Sequence, residues 1–219
     1  GQLRVGDQLV IPGLEGVQGT LITRIVPFGE TLRSLERRYQ TPEELLIRLN
    51  RLSSPNDLYA GYSFILPEVA TLPESPIRDS LQPGQSLLEM AAIHGENPWS
   101  IRNTNNLSGP ATALPADIMR ISGSAADGPG GLPGYIQQVE VAPLSMLQGK
   151  SAEVSVLSDS DMTMSGSILE HELHFFLDQG NLSTALQGIH AMTDPGVYPL
   201  KIEGELADGR SFSFMQMVP

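Results

Sequence analysis

Apolar positions change their period once along this chain. Up to Ser122, short β-branched runs alternate with stretches whose apolar residues are spaced by three and four; from Tyr135 onward apolar and polar residues alternate. In the first half, residues 20–26 (TLITRIV) predict a strand, broken at Gly29. Thr31 then caps a helix carrying Leu32, Leu35 and Tyr39 on one face. Thr41-Pro42-Glu43-Glu44 predicts a second helix start, with Thr41 as cap, Pro42 in the first turn and Glu44 closing a capping box. Leu45, Leu46 and Leu49 form its buried stripe, and Asn50 ends it. A loop through Ser53, Ser54, Pro55 and Asn56 leads to a closing strand over 62–66. The order is strand, helix, helix, strand.

The second half reads differently. Alternating sets at Ile136, Val139 and Val141; Ala152, Val154 and Val156; Leu173, Phe175 and Leu177; Tyr198, Leu200 and Ile202; and Phe212, Phe214 and Met215 predict short strands. Turn signals separate them, among them Gln148-Gly149-Lys150, Asp194-Pro195-Gly196 and Asp208-Gly209-Arg210. Strands at this spacing predict an antiparallel sandwich, immunoglobulin-like in size, over 135–219.

The first-half pattern repeats. At an offset of 55 residues Gly29, Glu30, Thr31 and Leu32 fall on Gly84, Gln85, Ser86 and Leu87; Asn50 falls on Asn105 and Leu52 on Leu107. In the second copy Asn97-Pro98 sets the start of the second helix one residue later, and Ile101 continues the stripe. Shifted the other way, residues 58–67 (LYAGYSFILP) fall on 3–12 (LRVGDQLVIP), so 1–19 reads as the end of a further copy. Copies occupy 20–67 and 76–122. The stretches 68–75 and 123–134, the latter rich in Gly, Pro, Ala and Ser, read as linkers. The fold class predicted is α+β and multidomain: βααβ modules followed by an all-β sandwich.

Charge sharpens these boundaries. Residues 20–67 carry six Arg and five acids, whereas 135–219 carry three bases and eleven acids. The net charge of -12 argues against nucleic acid as the main partner, since duplex binding relies on neutralising phosphates. With 0 Cys in 219 residues there is no disulfide framework, thiol nucleophile or Cys-liganded zinc. No apolar run approaches the roughly 18–20 residues of a membrane span, and no basic-then-apolar leader opens the sequence.

The Gly-Glu-Thr-Leu opening at Gly29–Leu32, the apolar helix positions, Asn50, and the closing phrase set by Tyr59, Gly61 and Pro67 resemble the LysM family, βααβ modules that bind N-acetylglucosamine polymers such as peptidoglycan and chitin. The resemblance covers 20–67 and 76–122 with the fragment 1–12; the family's usual Asp is Glu30 in one copy and Gln85 in the next, and Pro67 becomes Ser122. It implies a shallow groove between the first strand–helix loop and the second helix–strand loop. Carried over, that groove comprises Gly29, Glu30, Thr31, Leu32, Asn50, Leu52 and Leu58, and in the second copy Gly84, Gln85, Ser86, Leu87, Asn105 and Leu107. Backbone amides there suit an N-acetyl group. Read without the family, Thr31, Ser86, Asn50 and Asn105 are equally helix caps and turn residues.

From Ser165 to Leu200 the phrases Ser165-Gly166-Ser167-Ile168-Leu169, Leu173-His174-Phe175-Phe176 and Pro195-Gly196-Val197-Tyr198-Pro199-Leu200 resemble the β-sandwich upstream of the catalytic domain in some lysostaphin-type zinc endopeptidases. That family's His-x-x-x-Asp and His-x-His zinc set does not occur among His94, His171, His174 and His190. His171 and His174 are three apart, not the four that places two imidazoles on one helix face. The expectation is therefore a chain without catalytic residues, cofactor or metal of its own, zinc belonging only to an absent peptidase domain. It is expected to act outside the cell or in the envelope, as a monomer on peptidoglycan or a chitin-like glycan. The alternatives are a wall-anchored adhesion or structural protein whose sandwich binds another protein, and a hydrolase site within the sandwich. Arg33, Arg37 and Arg38 with Arg48 and Arg51 form the one basic cluster, a solvated helix face by default or a contact for anionic wall polymers or peptide-stem carboxylates.

Overall fold

The computed structural model describes residues 17, 19–68, 76–109, 113–125, 128–178 and 180–219. The partial copy expected at 1–19 and the stretch 69–75 lie essentially outside these.

Strand β1 (Leu21–Ile25) pairs antiparallel with β2 (Ser63–Pro67), Leu21 opposite Pro67 and Ile25 opposite Ser63. Between them in sequence lie helices α1 (Leu32–Tyr39) and α2 (Glu43–Asn50). Leu32, Leu35 and Leu46 close over Phe64 and Leu66 to form a small core. Helix α1 begins with a reciprocal capping box: the Thr31 hydroxyl accepts from Ser34 N–H at 3.0 Å, and the Ser34 hydroxyl accepts from Thr31 N–H at 2.8 Å. The box predicted at Thr41 and Glu44 does not form. The Thr41 hydroxyl donates instead to the Tyr39 carbonyl at 2.9 Å, Pro42 takes the cap position, and Glu43 and Glu44 keep only their favourable place at the helix's positive end.

The same four elements recur as β3 (Ile77–Ser80), α3 (Leu87–His94), α4 (Pro98–Thr104) and β4 (Ile118–Ile121), with β3 and β4 antiparallel. Helix α4 starts at the position equivalent to the start of α2, not one residue later. The 55-residue offset extends to backbone conformation. Left-handed residues occur at Gln40 and Gly95, at Arg51 and Asn106, and at Gly61 and Ala116. Asn50 donates to the Leu46 and Ile65 carbonyls (2.9 and 2.7 Å) and accepts from Ile65 N–H at 2.7 Å. Asn105 repeats this on Ile101 and Arg120, at 2.8, 2.7 and 2.8 Å. Each asparagine thus ties the end of its second helix to its closing strand.

The remaining eight strands among the described residues are β5 (Ile136–Ala142), β6 (Ser151–Ser158), β7 (Met162–Ile168), β8 (His171–His174), β9 (Phe176–Leu177), β10 (Leu182–Gly188), β11 (Tyr198–Leu206) and β12 (Ser211–Val218). They form two antiparallel four-stranded sheets, β5-β6-β10-β9 and β12-β11-β7-β8. Alternate residues of both, such as Val154, Val156, Leu200 and Ile202, share one core. The molecule is thus mixed in class, with four helices and four antiparallel sheets among the described residues.

The shared core is not confined to these strands. Phe28 and Ala60 of the first unit and Leu132 belong to it, all at most 2 % exposed. The stretch 123–134, read from composition as a linker, connects the second unit to the sheets, and over 128–134 it also packs between units. Arg78 of β3 donates to the carbonyls of Pro129, Leu132 and Ile136, and its own carbonyl accepts from Gly134 N–H at 2.7 Å. The first two units meet through Arg37, whose guanidinium donates to the Ile118 and Asn105 carbonyls at 3.2 and 3.0 Å. Burial, with Arg33 and Arg120 nearby, lowers the Arg37 pKa to about 10, so the brace stays charged at neutral pH.

Candidate functional site

The two βααβ units present their equivalent loops in opposite states. In the first, the strand–helix loop turns at Gly29, whose φ of +96° is left-handed and suits glycine. Both its backbone groups are used. Its N–H donates to Gln216 Oε1 on β12 at 2.8 Å, and its carbonyl accepts from Gly131 N–H at 2.8 Å. A Cβ on Gly29 would collide with Pro129 and approach Leu132 Cδ1 to 2.9 Å; one on Gly130 would meet Ser34 Cβ at 2.7 Å. Phe28 packs edge-on against Phe214 with ring centres 5.4 Å apart. Burying such a ring contributes about 1.5–3 kcal/mol. The second loop is held as well, because Ala60 N–H donates to the Met217 carbonyl at 2.9 Å.

Glu30 sits beneath this contact, 3 % exposed. Its carboxylate accepts from the Ser34 hydroxyl and from Arg38 Nη1 at 3.2 Å. Burial raises its pKa above the ordinary 4.5, opposed by Ser34, Arg38 and the Gly130 backbone. A carboxylate so enclosed serves the packing of 128–132, not a solvent-facing groove.

In the second copy the equivalent glycine, Gly84, has a φ of +81° and no atom within 4 Å of a Cβ placed on it. Pro83, Gly84 and Ser86 are exposed and Gln85 half-buried. Ser86 caps α3, its hydroxyl accepting from Glu89 N–H at 3.2 Å while Glu89 accepts from Ser86 N–H at 2.7 Å. Those bonds hold the Glu89 carboxyl below its usual range. Gln85 Oε1 accepts from Gln82 N–H at 3.0 Å. The loop is shaped by its own contacts, and its outer side faces solvent.

The carried-over residues divide accordingly. Leu32, Leu52 and Leu58 lie in the first core, and Leu87 and Leu107 in the second. Asn50 and Asn105 are 7 % and 1 % exposed, with their amides engaged within their own units. Gly29 is buried against Gln216 of β12, Glu30 is buried beneath Gly130, and Thr31 is half-buried at the edge of that contact. Gly84 and Ser86 are exposed, and Gln85, like Thr31, is half-buried. What the sequence reading misses is the covering set, Gln216, Phe214, Pro129 and Gly131. No local signal marks it, since Gly29 and Gln216 are 187 residues apart.

The histidines are dispersed. His94 Nε2 lies 2.9 Å from Asp79 Oδ2, joining the end of α3 to β3, while His171, His174 and His190 are exposed. Among the described residues, no three His, Asp or Glu side chains gather as a metal site, and no helix is long and apolar enough to cross a membrane.

Residues 25–67 match the family model of the LysM domain. That stretch is one LysM domain, a family that binds glycans of the peptidoglycan and chitin type and is typical of extracellular and cell-wall proteins. No curated protein matches the chain.

Proposed function

We propose that this chain is the glycan-binding and spacer part of a secreted bacterial cell-wall peptidase, without catalysis of its own. The unit 76–122 is a second LysM copy and carries the exposed glycan-binding loop. The two-sheet unit is an immunoglobulin-like sandwich of the kind that precedes lysostaphin-type peptidase domains. The observation that carries this is the contrast at one repeat position: Gly84 faces open space, while Gly29 is sealed by Pro129, Leu132 and Gln216. The LysM match to 25–67 supports the ligand class, and the 55-residue recurrence of caps, left-handed residues and asparagine ties supports extending it to the second unit. The reading implies an extracellular or wall location and a monomer.

Co-sedimentation with insoluble peptidoglycan tests it. Gly84→Asn adds a side chain to the open loop, and asparagine tolerates left-handed backbone. Retention should fall sharply; retention equal to the parent would overturn the assigned loop. A His-x-x-x-Asp followed by His-x-His encoded beyond Pro219 would support the peptidase context.

A second reading, a wall-anchored adhesion or structural protein, is favoured by exposed Phe176, Leu177 and Leu186 on neighbouring strands β9 and β10. An intact gene with no peptidase motif downstream would favour it over the first.

A further inference from the structure

A cleft of about 740 Å³ lies where the first unit, the second unit and the C-terminal sheets meet. Its floor is the outward face of the sheet β12-β11-β7-β8. Strand register sets Ser165, Glu203 and Ser213 side by side, with Thr163, Glu205 and Ser211 as the next row on that face. Hydroxyls and carboxylates therefore alternate on this face of the floor, while Leu132, Pro133, Phe212 and Phe214 give the cleft an apolar share and Ile202 and Leu206 lie buried behind it. One wall is α1, which contributes Arg33 and Arg37; the facing wall is the Gln82–Pro83 turn and Asp117 of the second unit. Arg33 lies 3.8 Å from Asp117 with its side chain 55 % exposed, and Arg37 Nε is buried without a hydrogen-bond partner. On the floor Lys201 engages Glu203 at 2.9 Å, while Glu205 is exposed. Arg33 and Arg37 stand on the α1 wall, Asp117 opposite them, and Glu205 on the floor beside the Lys201–Glu203 pair, within a volume usual for small-ligand sites at domain junctions and too small for a folded partner.

We propose that this cleft binds a short peptide bearing a free carboxylate and a free ammonium group, such as a peptide stem of the wall polymer, with the carboxylate at Arg33 and the ammonium at Glu205. The proposal rests on the wall-binding reading, yet it concerns the cleft that borders the Gly84 loop at Gln82 and Pro83, not the outer side of that loop, and a different part of the polymer. Hydroxyls between the two charged ends would bond peptide amides and carbonyls without demanding one side chain.

The test is calorimetric titration of the intact chain with two probes, a synthetic stem tetrapeptide with free termini and a peptide-free N-acetylglucosamine tetramer. Arg33→Gln and Glu205→Gln should each weaken the tetrapeptide about fivefold, the scale of one solvent-accessible ion pair, and more steeply at low salt. Asp117→Asn removes the Arg33 ion pair while leaving the arginine, and should bind the tetrapeptide as tightly as the parent or tighter. The sugar tetramer should be indifferent to all three changes. No tetrapeptide binding, equal binding by Arg33→Gln, or an Asp117→Asn loss matching that of Arg33→Gln would overturn the proposal, the last because Arg33 would then act through unit docking. Sugar binding without peptide binding overturns the cleft alone. Peptide binding without sugar binding upholds the cleft and overturns the glycan role of the Gly84 loop.

Discussion

Replacing Gly29 and Gly84 separately by alanine puts one methyl group at equivalent places in the two βααβ units. At Gly84 the change adds only the cost of left-handed backbone, about 1 kcal/mol, because nothing lies within 4 Å of the new carbon. At Gly29 the same backbone term applies, and the carbon is driven into Pro129 and Leu132. Overpacking of that kind adds about 1–3 kcal/mol. Any retreat of residues 129–132, the strap over Gly29, lengthens the 2.8 Å bonds from Gly29 to Gln216 and Gly131, adding about 1 kcal/mol more. Gly29→Ala should therefore cost about 3–5 kcal/mol and Gly84→Ala about 1 kcal/mol. Urea titrations of each variant beside the parent, followed by circular dichroism, give the difference. If Gly29→Ala costs no more than Gly84→Ala, the first unit is not docked on the C-terminal sheets, and the contrast behind the functional reading disappears.

Gln216→Leu should destabilise by about 1–3 kcal/mol, because it leaves the buried Gly29 N–H without its acceptor; a urea midpoint equal to the parent's would count against that bond. Asn50→Ala and Asn105→Ala should each cost about 2–3 kcal/mol by stripping partners from one strand N–H and two carbonyls; an Asn105→Ala protein that folds normally but no longer binds wall material would instead make that side chain a ligand contact. For Glu30, burial makes the folded chain hold its proton more tightly than the unfolded chain. The associated stability is present below the ordinary pKa of 4.5 and is lost as pH rises through the higher folded value. Glu30→Gln should therefore gain stability relative to the parent as pH rises above 4.5, and a midpoint difference independent of pH would refute this.

The local features were legible because they are local. Helix α1 followed from the spacing of Leu32, Leu35 and Tyr39, and the recurring strand, helix, helix, strand order from matched phrases whose glycines and asparagines hold turn and tie positions. Local competition accounts for the Thr41 error: a hydroxyl one residue from a helix end can cap the next helix or bond back to the last, and the sequence does not rank the two. Strands β7 and β10 escaped because Met162–Ile168 and Leu182–Gly188 carry Ser, Thr, Gly and Gln where strong β-formers would signal a strand. The docking escaped for a different reason. Glycines and prolines in 128–134 announce turns, but that Gly130 and Gly131 fit under Gly29 depends on strands almost the whole chain away.

The interlocked glycines bear on how such a polypeptide can change over time. Beads in a simple array can be duplicated, deleted or reordered, because each is complete in itself. Here Phe28 and Ala60 are shared with the C-terminal sheets, and a replacement bead would need glycine where the strap crosses and an aromatic ring facing Phe214. The copy bearing Gly84 has the glycine, but its neighbour Pro83 stands where Phe28 does. The two units are therefore not exchangeable: one is keyed to its address through Phe28 and Gly29, the other through Arg78, whose guanidinium holds the carbonyls of Pro129, Leu132 and Ile136.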